Sequence, residues 1–121
     1  MISLKQISKT LDCKSIFQCF FGLNAEDVRV YEVLLKGFGR VEEISKALGK
    51  RENSVYKSLQ KLLIAGLAYR EKRTIDGGGY YFIYKPTPKE EIAREIEIVI
   101  RELCEKVKEV LRELLDSSSK L

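Results

Sequence analysis

The side chains best able to act on a partner are the cations and short polar groups between positions 44 and 85. Lys46, Lys50, Arg51, Lys57, Lys61, Arg70, Lys72, Arg73 and Lys85 lie in that stretch, against only Glu52, Glu71 and Asp76. The whole 121-residue chain is milder, with 22 Lys/Arg and 18 Asp/Glu and a formal net charge of +4. Residues 88–121 are net acidic, so the positive charge is local, which suits a polyanionic partner. Other chemistry finds little support. There is no histidine, and Cys13, Cys19 and Cys104 make no C-x-x-C spacing, so no zinc site is expected. An odd cysteine count without a signal peptide points to a reducing cytoplasm and to buried, inert thiols. Gly77-Gly78-Gly79 precedes a strand rather than a helix and lacks a following Lys-Ser/Thr, so it is not a nucleotide loop. No nucleophile–base pair or cofactor motif is present, so enzymatic activity, a cofactor and a small-molecule effector are not expected.

Spacing sharpens the polyanion reading. Helical periodicity over 52–65 sets Val55, Leu59, Leu62 and Leu63 on one side and Asn53, Ser54, Lys57, Ser58 and Lys61 on the other, with Lys50 and Arg51 just before. In the major groove of duplex DNA, short polar side chains near a helix N-terminus reach base edges, while lysines meet phosphates. Asn53 has the donor and acceptor to pair with adenine. An ordinary amphipathic helix has a polar face too, so the surroundings decide. The helix is followed by Arg70, Lys72 and Arg73, a glycine-rich turn, and Lys85. Such a hairpin provides phosphate contacts that set affinity and register. Exposed tyrosines among Tyr80, Tyr81 and Tyr84 would instead suit stacking on single strands, or packing within the protein.

These residues need a scaffold. Residues 3–21 read as two short helical pieces, with Leu4, Ile7 and Leu11 in one and Phe17, Phe20 and Phe21 in the other. Asn24 and Asp27 form a capping pair that starts a helix at Ala25, with Val28, Tyr31, Leu34 and Leu35 as its apolar face. A second helix covers 41–48, with Ile44 and Leu48 inward. Gly49 turns the chain into helix 52–65, which Gly66 closes. Strands are expected at 67–73 and 80–85. Three helices followed by a hairpin are the order of a winged helix-turn-helix. The expected fold class is mostly α (α+β).

Thr87-Pro88-Lys89-Glu90 has the pattern of a helix start, with Thr87 as the cap and Glu90 completing a capping box. The helix then runs unbroken to about 116, roughly 43 Å. Ile92, Ile96, Val99, Leu103, Val107, Val110 and Leu114 form an apolar stripe along it, widened by Ile100, Cys104, Leu111 and Leu115. A domain of about 12 Å radius cannot cover a helix of that length, so the stripe is expected to pair with a second copy. Folding back onto its own domain is the alternative. The expected organisation is a helical extension at 1–23, a DNA-binding domain at 24–86, a dimerisation helix at 87–116 and a frayed tail at 117–121. No apolar run nears 18 residues, so no membrane span is expected.

The run Phe21-Gly22-Leu23-Asn24, the helix from Ala25 to Leu35, Val41-Glu42-Glu43-Ile44, Ser54-Val55-Tyr56-Lys57-Ser58-Leu59, Gly66-Leu67, and Tyr84-Lys85 with Pro88-Lys89-Glu90-Glu91 resembles the archaeal TrmB-like winged-helix transcriptional regulators. The similarity covers about residues 21–92. It implies a cytoplasmic, nucleoid-associated dimer that binds double-stranded DNA, with the recognition role at Ser54, Lys57 and Ser58 and the wing at 70–85. Arg51 and Ser54 stand where many members have Pro and Arg, so base preference does not transfer. Larger members carry a C-terminal sugar-binding domain, whereas here a single helix follows the wing, so the resemblance does not extend to sugar sensing. A winged helix that docks a protein or an RNA is the competing reading.

Overall fold

Short-range capping rules set most element boundaries. The computed structural model describes residues 5, 6, 9 and 11–116; Leu4, Ile7, the tail 117–121 and the side chain of Cys13 lie outside the described residues. Helix α1 spans Cys13–Phe21, with Asp12 accepting the Ser15 N–H at 2.8 Å. Helix α2, Ala25–Leu35, opens on the expected capping box. Asn24 accepts the Asp27 N–H at 2.9 Å, and Asp27 accepts the Asn24 N–H at 3.0 Å. Helix α3 covers Val41–Leu48 and helix α4 Glu52–Ile64. Between them Gly49 sits at φ 63°, a left-handed conformation costly for any residue with a Cβ. Strands β1, Ala68–Thr74, and β2, Tyr80–Pro86, pair antiparallel, with Ala68 opposite Pro86 and Thr74 opposite Tyr80. Helix α5 runs Lys89–Asp116. The chain is a mostly helical winged helix-turn-helix.

The core lies among α2, α3, α4 and the root of the hairpin. Val30, Leu34, Ile44, Val55, Leu59, Leu62 and Leu67 are all buried to 2% exposure or less. Each such side chain contributes about 1.5–3 kcal/mol. Helix α2 is buried over most of its circumference, so Val30 and Val33 go inward while Leu35, expected inward, is exposed. Phe17 of α1 packs its ring 5.1 Å from that of Tyr31.

Backbone contacts join the hairpin to the helices. The Tyr84 N–H donates to the Gly39 carbonyl at 2.7 Å, extending the ladder to the α2–α3 loop. A Cβ on Gly39 would lie 2.7 Å from Ile83 Cγ2 and 3.0 Å from the Tyr84 carbonyl oxygen. The isoleucine methyl can shift, but the carbonyl is held by the sheet. Gly39→Ala is therefore expected to destabilise by about 1–3 kcal/mol, as overpacking does. Chemical denaturation measures the loss, and faster hydrogen exchange at Tyr84 would locate it.

The chain divides into two units at the Thr87–Pro88 junction. Thr87 does not use its hydroxyl as the expected cap of α5. That hydroxyl donates to the Gly66 carbonyl at 2.7 Å and the Thr87 N–H to the Leu67 carbonyl at 2.9 Å, fastening the end of the first unit to the close of α4. In the second unit the Pro88 carbonyl accepts from Glu91 and Ile92, at 3.0 and 3.2 Å. Along α5, Ile92 is buried and Ile96 half-buried. Val99, Leu103, Val107, Val110 and Leu114 remain 38 to 56% exposed in the single chain. No described helix is long and apolar enough to cross a membrane.

Candidate nucleic-acid interface

Helix α4 presents uncommitted polar side chains over its first two turns. Asn53, Ser54 and Lys57 are exposed, together with Arg51 ahead of them. Among the described residues, none of the four is engaged in a hydrogen bond or ion pair by its side chain. Arg51 stands at the N-cap without supplying an acceptor, so the first-turn N–H groups face outward unpaired. The amides, the positive end of the helix dipole and Arg51 favour an anion at this end, opposed by the one carboxylate of the first turn, Glu52. Lys50 lies beside it, its ammonium 3.1 Å from Glu26.

The expected face is shorter than its sequence suggested. Ser58 is 6% exposed, and its hydroxyl donates to Asp27 Oδ1 at 2.7 Å, so it is withdrawn from any external partner. Lys61 keeps part of its side chain in solvent, but its ammonium is ion-paired to Asp27 Oδ2. Asp27 is itself 2% exposed and receives Ser58, Lys61 and the Asn24 N–H, so both carboxylate oxygens are satisfied. Burial alone would raise its pKa. The hydrogen bonds from Lys61, Ser58 and Asn24, with the charge of Lys61, outweigh burial and hold the carboxyl below its ordinary value.

The hairpin cations separate onto two faces, because strand neighbours alternate. Arg70, Lys72, Tyr80, Phe82 and Tyr84 share one face by register. There the Arg70 guanidinium lies 4.1 Å from the Phe82 ring centroid and the Lys72 ammonium 4.1 Å from that of Tyr80. Tyr80 and Phe82 meet edge to face at 5.6 Å. The rings orient both cations without neutralising them. Tyr84 is buried at the root. Tyr69, Glu71, Arg73, Tyr81, Ile83 and Lys85 share the other face. Glu71 there receives Arg73 at 2.8 Å and Lys85 at 3.0 Å, one on each carboxylate oxygen. Lys85 foremost, with Arg73, holds the Glu71 carboxyl below its ordinary value. At the tip, Ile75 bonds to Gly78 and Gly79 across the turn.

Three further residues, to which the sequence assigns no role, border this surface. Tyr56 is exposed on α4, between Asn53 and Gln60. Arg40, at the N-cap of α3, stacks 4.4 Å over Tyr81. Glu71 occupies two of the four cations assigned to the wing. The thiols differ from expectation as well. Cys19 and Cys104 are exposed, not buried, because the apolar neighbours that suggested burial of Cys104 are themselves open in the single chain.

Comparison with known proteins adds lineage to this geometry. The family model described as sugar-specific transcriptional regulator TrmB matches residues 17–90. The uncharacterised protein MJ1503 of Methanocaldococcus jannaschii is 32% identical over 112 residues, covering 92% of this chain and 85% of its own. MJ1082 of the same organism is 30% identical over 104 residues, covering 85% and 86%. A protein of Methanosarcina mazei Go1 described as a possible transcriptional regulator superposes with a TM-score of 0.70 at 26% identity, over 83% of this chain and 86% of that one. The ST1889 protein of Sulfolobus tokodaii shares the fold, with a TM-score of 0.58 at 20% identity, over 78% and 90%.

Proposed function

Because the chain belongs to the TrmB family of transcriptional regulators, and so is a DNA-binding regulator, we propose that it docks on duplex DNA as a homodimer, with the first two turns of α4 in the major groove. The observation that carries this reading is the exposed, uncommitted polar start of α4. Arg51, Asn53, Ser54 and Lys57 are exposed with their polar atoms uncommitted, beside first-turn amides that lack partners. Asn53 and Ser54 are short enough to read base edges, and Arg51 and Lys57 flank them as phosphate contacts. The hairpin lies on the backbone or in the minor groove and adds sequence-independent affinity through Arg70 and Lys72. The exposed stripe of α5 pairs two copies, which sets two α4 helices against half-sites about one DNA turn apart.

Lys57→Glu tests the docking surface. Gel-shift titration on genomic fragments should show about 10- to 100-fold weaker binding, with a salt dependence shallower by about one unit of slope. Lys57 is exposed and makes no hydrogen bond or ion pair among the described residues, so the melting temperature should hold. Unchanged affinity would place the DNA elsewhere. Competition with structured RNA separates duplex DNA from RNA as the ligand.

A further inference from the structure

We propose that Glu71 competes with the DNA backbone for Arg73 and Lys85, and so sets how tightly the wing binds; the inference rests on the docking proposed above. The two strands carry a single carboxylate, Glu71, and it is spent on two of their four cations. Each of its oxygens faces a different cation, at 2.8 and 3.0 Å. A phosphodiester offers two charged oxygens as well, so it fits the same pair of donors. Stability does not account for the arrangement. The Glu71 side chain is 34% exposed and those of its partners 46% and 40%, and ion pairs so exposed contribute little to folding. The opposite face makes the contrast. Arg70 and Lys72 are held by rings, which leave the positive charge available to a ligand. Approach of a phosphate to Arg73 and Lys85 must displace Glu71 or tolerate its charge, and either lowers affinity.

The test is duplex binding by Glu71→Gln over a series of salt concentrations. Glu32→Gln on the exposed face of α2 serves as a charge-matched control, and Lys57→Glu reports on docking. Glu71→Gln should bind about threefold to tenfold more tightly at low salt, and its salt dependence should steepen by about one to two units of slope as two cations become free to release counterions. Glu32→Gln should change binding less than twofold. In an Arg73→Gln/Lys85→Gln background the gain from Glu71→Gln should vanish, because the cations it frees are absent. If Glu71→Gln matches Glu32→Gln while Lys57→Glu still weakens binding, the competition is overturned and the docking surface stands. If Lys57→Glu has no effect either, or the wild-type chain binds no duplex, both are overturned.

Discussion

Asp27→Ala should lower stability by about 2–4 kcal/mol, and thermal unfolding should register a fall of roughly 4–8 °C per kcal/mol for a domain of this size. The loss has several parts. Alanine removes the half of the capping box in which Asp27 accepts the Asn24 N–H, about 0.5–1.5 kcal/mol, while Asn24 still accepts the backbone N–H of position 27. It also leaves the buried Ser58 hydroxyl without its acceptor, at about 1–3 kcal/mol. The Lys61 ammonium adds less, since that side chain is 44% exposed and returns readily to water. Asp27→Asn separates shape from charge, because it turns one acceptor oxygen into a donor amide. It should also reveal the pH dependence. The Asp27 carboxyl titrates below its ordinary value of 3.8 in the folded chain, so its stabilisation is complete above that value and disappears as pH falls through the folded one. The stability gap between wild type and Asp27→Asn should therefore be constant near neutrality and close in acid. A gap independent of pH down to 2 would show that the carboxylate charge is irrelevant.

The largest effect on DNA affinity should come from residues that never approach the DNA. Leu103→Glu combined with Val110→Glu sets two charges into the middle of the α5 stripe. Both side chains are exposed in the single chain, 56% and 52%, so neither change opens a cavity within it. In the proposed dimer both would be buried against the partner copy, where unpaired carboxylates are strongly disfavoured. Sedimentation should give a monomer at concentrations where the wild-type chain is a dimer. Binding to a probe with two half-sites should fall by about a hundredfold or more, because the second α4 no longer arrives at the high effective concentration of a tethered partner. Binding to a single half-site should stay near wild type. A doubly charged variant that still sediments as a dimer would remove α5 as the interface.

Much of this structure was legible in order along the chain, because its signals are local. The Asn24–Asp27 capping box needs only two residues three apart, and the turn at Gly49 only one, so helix boundaries fell within a residue or two of their expected places. Ser58 escaped for a different reason. It lies three residues after Val55 and four before Leu62, so by period alone it belongs to the buried side, whereas its hydroxyl favours solvent. The acceptor that lets a serine face inward is Asp27, 31 residues earlier, and no periodicity reports a contact at that range. The wing cations were pooled for a related reason. Alternation along β1 sets Lys72 and Arg73 on opposite faces, but their partners across the hairpin follow only from the register that pairs Glu71 with Ile83.

The Asp27 cluster has a consequence for how such a regulator acquires a new target. A reading helix is retargeted by changing the side chains that meet the bases. Of the five polar residues expected on the reading face of α4, two are tied to Asp27: Ser58 through a buried hydrogen bond and Lys61 through an ion pair, so changing them acts on the fold as well. Asn53, Ser54 and Lys57 carry no such obligation, and Tyr56 is exposed beside them. Drift in target preference, whether in nature or in a selection experiment, should therefore concentrate in the first two turns of the helix, while the third turn stays fixed.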